Sequence, residues 1–234
     1  MSEPPSPDEN PRALHTSIGD IPLEEYRLRL AGREWSVLHT GAMLTEDDEQ
    51  RFLGTEMQPA RLPYGVALWP AAIALAHEIA ARAEELRGRT VLELGAGTGL
   101  PGIVAASLGA RVTQTDRQEA AMALCRLNGE RNGVAVAAYR LADWTAWDDA
   151  ARHDWIIGSD ILYAERMHSH LRGILERNLA PGGRVLLSDP LRRSSFGLLE
   201  ALDASGWTVA MSKWSVGEEG EARPIGLFEL TPPA

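Results

Sequence analysis

A strand that runs into three closely spaced glycines and then into a helix admits few folds, and Val91-Leu92-Glu93-Leu94-Gly95-Ala96-Gly97-Thr98-Gly99 is such a run. Glycine lets the backbone turn sharply and lie bare against a ligand, and the following helix start offers unpaired N–H groups. What surrounds the run gives it a context. Helical spacing over Ala71–Leu86 stops at Gly88, followed by a buried strand at Thr90–Leu94, a helix at Leu100–Leu108 and a strand at Arg111–Asp116. A helix at Glu119–Arg131 ends near Asn132-Gly133, and strands follow at Val134–Arg140 and Trp155–Ser159. Arg166–Leu179 is helical, Pro181-Gly182-Gly183 turns into a strand at Arg184–Ser188, and Ser195–Ala204 is the last helix. Strands at Trp207–Trp214 and Ile225–Leu230 have only residues 215–223 between them, which suits an antiparallel hairpin. Alternating strands and helices predict an α/β fold with a doubly wound, mostly parallel seven-stranded sheet, both faces covered.

Ahead of this regular part, residues 1–20 are rich in Pro, Ser, Asp and Glu and are expected to form a disordered tail. Residues 21–62 are an N-terminal extension. In it, alternating Tyr26, Leu28 and Leu30, a turn at Ala31-Gly32, and Trp35, Val37 and Leu38 predict a hairpin. Thr45–Gln58 is charged and reads equally as a helix start or a loop. Residues 63–234 form the main domain.

Composition narrows the function classes. At 44% hydrophobic content, 234 residues fill one sizeable core. The 23 Lys and Arg against 33 Asp and Glu leave a net charge of −10, which argues against coating nucleic acid but not against a basic protein substrate. The longest apolar run, near Val66–Ala76, falls short of the ~20 residues that cross a bilayer, so no membrane association is expected. Cys125 is alone, so neither a disulfide framework nor a cysteine metal cluster is expected, and no metal site is read elsewhere. His168 and His170 point to different helix faces, His77 and His153 are read as surface or satisfied histidines, and Arg192-Arg193 as a solvated loop. Trp155, Trp207 and Trp214 are read as core. The N-terminus lacks a basic start and an apolar stretch, so a cytoplasmic location is expected.

Four positions carry the chemistry. In the glycine run, Leu100 stands where a dinucleotide fingerprint has its last glycine, and Glu93, two residues before Gly95, suits a cationic amino-acid moiety better than a pyrophosphate. Asp116 ends the next strand, about twenty residues on; it would accept both hydroxyls of a ribose, or cap the following helix. Asp143 could accept from an adenine amino group with Trp144 as a flat wall, the alternative being a turn Asp and a core Trp. Asp160 and Tyr163, just past the fourth strand, could hold an amine and aim its lone pair, the alternative being a helix cap and a half-buried Tyr.

From about Trp69 onward these residues resemble the class I S-adenosylmethionine-dependent methyltransferases. Pro63-Tyr64, Leu68-Trp69-Pro70, Glu93–Gly99, Asp143-Trp144 and the D-x-x-Y run Asp160–Tyr163 are similar to methyltransferase family 16, the protein-lysine methyltransferase-like group. The resemblance implies a Rossmann-like methyltransferase fold, with Trp69, Gly95, Ala96, Gly97, Gly99, Asp116, Trp144 and Ser159 about the cofactor. Many relatives have Ala in place of Ser159. It implies N-methylation of a protein lysine, with Asp160 capturing the incoming ammonium and Tyr163 as an aromatic wall. A small amine as acceptor, a non-catalytic cofactor-binding module and a nicotinamide-dependent dehydrogenase are the competing readings.

Overall fold

The computed structural model describes residues 13–16, 19–40, 64–217 and 222–233. Eleven strands are present among them: β1 Ala13–Thr16, β2 Gly19–Pro22, β3 Glu24–Leu30, β4 Arg33–His39, β5 Thr90–Leu94, β6 Arg111–Asp116, β7 Ala138–Leu141, β8 His153–Ser159, β9 Leu179–Asp189, β10 Thr208–Val216 and β11 Arg223–Thr231. The helices are α1 Pro70–Ala81, α2 Ala83–Leu86, α3 Leu100–Ser107, α4 Glu119–Arg131, α5 His168–Asn178 and α6 Arg193–Ala204. Seven strands form one sheet in the order β10-β11-β9-β8-β5-β6-β7. The strands β9, β8, β5, β6 and β7 run parallel, and β11 and β10 close the edge antiparallel.

Period-two alternation sends successive side chains of each strand to opposite faces. Val91, Val112, Trp155, Ile157, Leu186 and Leu227 pack with α1, α3 and the Trp35 hairpin on one face. Leu92, Leu94, Ile156, Val185, Leu187 and Phe228 pack with α5 and α6 on the other. Because β5 pairs with β6 on one side and β8 on the other, the strand order reverses there. In such sheets the ligand crevice lies outside the carboxyl ends of the strands at that point.

Some boundaries differ from the sequence reading. The expected strand over Val134–Arg140 begins only at Ala138, because Val134 is used in ending α4. Gly133, at φ 62°, donates to Glu130 O, and Val134 N–H donates to Gly129 O, a Schellman closure. The helix read over Ala71–Leu86 breaks at Arg82, whose side chain is held by Glu78 and Glu229. The expected tail to residue 20 is corrected over its last part. Ala13–Thr16 and Gly19–Pro22 pair antiparallel, and Leu14 is buried with Val66, Ala121 and Leu124, an apolar anchor that the local composition obscured. The charged segment 45–58 lies outside the described residues.

The predicted hairpin is β3–β4. Its turn, Ala31-Gly32, has positive φ at both residues (53° and 72°), the geometry a two-residue hairpin loop requires. It docks on α4 through two asparagines one helical turn apart. Asn132 Nδ2 donates to Ser36 O at 2.7 Å and its Oδ1 accepts from Ser36 N at 3.1 Å. Asn128 Nδ2 donates to Leu38 O at 3.0 Å and its Oδ1 accepts from Leu38 N at 2.8 Å. The two amides therefore act as a surrogate strand along the edge of β4. Asn128 also donates to Thr98 O at 2.9 Å, so one buried side chain joins the hairpin to the glycine loop. Asn128→Ala strands three buried backbone groups at about 1–3 kcal/mol each, partly relieved by water entering the gap. We expect a loss of about 3 kcal/mol in urea unfolding; a loss below about 1 kcal/mol would show that the hairpin is held by apolar contact alone.

Candidate active site

The glycine loop leaves β5 at the reversal point. Gly95 and Gly97 have φ of 63° and 56°, a conformation side-chain-bearing residues rarely adopt. A Cβ at Gly95 would lie 2.9 Å from Ile161 Cγ2 and 3.5 Å from Trp144 Cζ2, and one at Gly97 would lie 3.1 Å from Gly65 O. The loop thus presents bare backbone, bordered by the indole of Trp144 and by the residue 64–66 turn. Ala96 N donates to Thr115 O at 2.9 Å, and Gly99 is the N-cap of α3.

Asp116 ends β6 beneath this loop. Its Oδ2 accepts from Gly97 N at 3.1 Å and its Oδ1 from Gln118 N at 2.9 Å. Asp116 thus ties Gln118, the residue before α4, to the glycine loop. Burial pushes its carboxyl above the usual range, against the downward pull of these N–H groups.

Glu93 is where the structure corrects the sequence reading. It was expected beside a cationic amino-acid moiety, yet its side chain is fully buried behind the loop. Oε1 accepts from Gly102 N at 3.1 Å and Oε2 from Gln114 Nε2 at 2.6 Å, while Gln114 Nε2 also donates to Gly99 O at 2.9 Å. Glu93 and Gln114 are register partners on β5 and β6, so their side chains meet on one face and brace the loop from behind. Gly102, which sequence reasoning passed over, is required here because a Cβ would collide with the Glu93 carboxyl. Burial raises the Glu93 pKa to about 7. The unfolded carboxyl titrates near 4.5, so the native state holds its proton to higher pH, and the stability this contributes is lost as pH rises from 4.5 through 7. The span is worth about 3 kcal/mol. Relative to wild type, Glu93→Gln is expected to gain that amount in denaturant unfolding between pH 4.5 and pH 7.5, and a pH-independent gap would contradict it.

Asp143 is exposed and caps the short 3₁₀ turn Trp144–Ala146, accepting from Thr145 N and Thr145 Oγ1, both at 2.8 Å on Oδ1. Those two bonds hold its carboxyl below the usual range. The turn role is thus realised, and Trp144, half-buried, stands beside Gly95 rather than deep in the core. Trp69 is half-buried at the N-cap of α1, and Ser188 Oγ donates to Ala71 O at 2.8 Å, fixing this helix start at the carboxyl end of β9.

Ser159 ends β8 opposite Ser188. Asp160 follows with φ 58° and its N–H donates to Ser188 O at 2.8 Å. Its carboxylate is buried and ion-paired to Arg192, whose Nη1 also lies 3.2 Å from Asp189 Oδ2 and whose N–H donates to Asp189 Oδ1 at 2.9 Å. Arg192 is therefore no solvated loop residue, which corrects that expectation. The carboxylates come from the ends of two neighbouring strands, and only the sheet brings them together. Tyr163, three residues beyond Asp160, is 49% exposed. A groove of about 550 Å³ is lined by Glu165 and His168 and by Arg193 and Phe196. His153 also departs from expectation: it is buried at the start of β8, and neither ring nitrogen has a partner among the described residues. Burial pulls its pKa down.

A family profile described as lysine methyltransferase matches residues 55–196, more than half of the chain. The chain belongs to the lysine methyltransferase family. It is 35% identical over 137 residues to the protein N-lysine methyltransferase METTL21A of Xenopus tropicalis, covering 56% of this chain and 63% of that one. It is 34% identical over 122 residues to the histone-arginine methyltransferase METTL23 of Xenopus laevis, covering 50% and 52% respectively. The chain thus spans less than two thirds of the length of these relatives. Among solved structures, the ribosomal protein L11 methylase of Lactobacillus delbrueckii subsp. bulgaricus superposes with a TM-score of 0.55 at 23% identity, over 77% of this chain and 92% of that one. At that identity the likeness is one of fold, and it matches the expected Rossmann-like methyltransferase architecture.

Proposed function

We propose that this chain is an S-adenosylmethionine-dependent N-methyltransferase that methylates a lysine side chain of a protein. The observation that carries the reading is the site's polarity at the sheet's reversal point. A bare glycine loop tied to Asp116 follows β5, and a buried carboxylate, Asp160, with a half-exposed Tyr163 follows the neighbouring strand β8. The residues fit the cofactor. The close approach allowed at Gly95, Ala96 and Gly97 suits its amino-acid moiety, Asp116 its ribose hydroxyls, and Trp144, with Asp143, its adenine; Trp69, at the N-cap of α1, and Ser159, at the end of β8, are assigned to it as well. When bound, the sulfonium supplies an electrophilic methyl group.

The protein's own part is alignment and charge. Holding nucleophile and methyl carbon in line contributes on the order of 7–11 kcal/mol. A lysine amine, with a pKa near 10.4 in water, must lose its proton first. Desolvation in the crevice and a nearby positive charge both depress that value. Asp160 receives the ammonium and orients it, and the proton leaves to water. Tyr163 gives a flat face that tolerates the cationic methylated product.

A lone buried thiol, Cys125, suits a reducing compartment, so a cytoplasmic location belongs to the same reading. The half-exposed Tyr163 favours an open approach suited to a protein over a closed pocket suited to a small amine. Purified protein is to be incubated with radiolabelled S-adenosylmethionine and a cell extract, and the labelled species hydrolysed. Methyl-lysine in a protein band is expected. Methyl-arginine, label in a small metabolite, or cofactor binding with no transfer would each replace this reading with a different one.

A further inference from the structure

We infer that Arg192 is a positioning residue for methyl transfer: bridged between Asp189 and Asp160, it fixes the carboxylate that receives the acceptor amine. The inference rests on the role proposed for Asp160. Three observations converge on Arg192. First, Asp189 holds it at both ends, accepting from its backbone N–H at 2.9 Å through Oδ1 and from Nη1 at 3.2 Å through Oδ2, with the Asp189 side chain wholly buried. Second, the same Nη1 is ion-paired to Asp160 Oδ1, and the exposures of the two side chains are 13% and 6%. Third, the backbone is bent to make the bridge. Of the three non-glycine residues with positive φ among the described residues, two flank it: Asp160 at 58° beyond β8 and Leu191 at 65° beyond β9. A left-handed leucine is unfavourable by itself and persists only where its surroundings dictate it.

These features have one geometric outcome. A carboxylate just past a strand end can rotate about χ1 and χ2, but one gripped by a guanidinium that is itself anchored to a fully buried aspartate, on a residue fixed as the N-cap of α6, is held in place. The anchored cation also sets a positive charge against the Asp160 carboxylate, which favours its charged form. An ionised, fixed acceptor is what an incoming ammonium needs for its lone pair to be aimed once the proton has gone.

The test compares wild type, Arg192→Lys, Arg192→Met, Asp160→Asn and the double variant Asp160→Asn with Arg192→Met. Each is assayed for initial rate of label transfer from radiolabelled S-adenosylmethionine to the extract protein that wild type labels, across pH, and for S-adenosylhomocysteine affinity by calorimetry. The expected result is about a 100-fold lower rate in Arg192→Met with cofactor affinity within about twofold. Arg192→Lys should recover part of the rate, keeping the charge but losing the fork. The acid limb of the pH profile should move up by about one unit in Arg192→Met, because Asp160 then protonates more readily. The double variant should be no slower than Asp160→Asn, since Arg192 acts through Asp160. Arg192→Met with a wild-type rate, or with cofactor affinity and rate lost together, overturns the positioning role, and the Arg192→Lys variant decides this even if the methionine variant folds poorly. Full activity in Asp160→Asn overturns the role of Asp160 instead, and with it the inference. Loss in Asp160→Asn with none in either Arg192 variant overturns the inference alone.

Discussion

Asp116→Ala should weaken S-adenosylhomocysteine binding by two to four orders of magnitude in calorimetry. Two hydroxyl hydrogen bonds to a carboxylate are worth about 1.5–3 kcal/mol each, and about 1.4 kcal/mol is a factor of ten. The effect is amplified locally, because the same carboxylate accepts from Gly97 N and so fixes the loop's inner edge. Asp116→Asn separates the two contributions. Its amide oxygen can still accept from one backbone N–H, but the charge that strengthens hydroxyl donation is gone, so affinity should fall by about tenfold to a hundredfold. Affinity within threefold of wild type in Asp116→Ala would remove the ribose assignment, and the side chain would then be only the tie between the loop and the start of α4.

The parts of this site that were legible in the sequence are those fixed by neighbours along the chain. The strand at Thr90–Leu94, the strand at Arg111–Asp116 and the helix at Glu119–Arg131 appear with those bounds, since each is framed by glycine, by a capping sequence or by strict apolar patterning. The placement of Trp144 beside the glycine loop follows from that topology, because successive strand ends of a parallel sheet open on one edge. What was hidden depends on partners far away in sequence. Asn128 and Asn132 look like ordinary helix-surface residues until β4, some ninety residues earlier, lies beside them. Arg192 looks like a solvated loop residue because its partner Asp160 is thirty-two positions away on another strand. The distance of Glu93 from Gly95 along the chain points it toward the ligand. The better signal was strand alternation combined with the polar Gln114 at the matching position of the next strand, since two polar groups in register on a buried face satisfy each other.

Asp160→Asn is expected to lower the rate of methyl transfer by at least 100-fold while leaving S-adenosylhomocysteine affinity within about twofold. The N–H of Asp160 donates to Ser188 O and its carboxylate accepts from Arg192, contacts at the ends of β8 and β9, whereas Asp116 accepts from the glycine loop. Losing a charged acceptor that aims the amine removes about 3 kcal/mol of transition-state alignment, the equivalent of that rate loss. The amide variant is preferred because Asp160→Ala leaves a buried guanidinium short of one anion, a change that costs about 3–5 kcal/mol in comparable buried pairs and confuses unfolding with lost chemistry. With asparagine the side chain keeps its volume and one acceptor oxygen, so Arg192 keeps a hydrogen bond as well as Asp189. The melting temperature should therefore drop by only a few degrees while turnover collapses. If turnover and melting temperature instead fall in proportion across Asp160→Asn and Asp160→Ala, Asp160 is a structural counter-ion and the amine must be held elsewhere, Tyr163 being the nearest candidate.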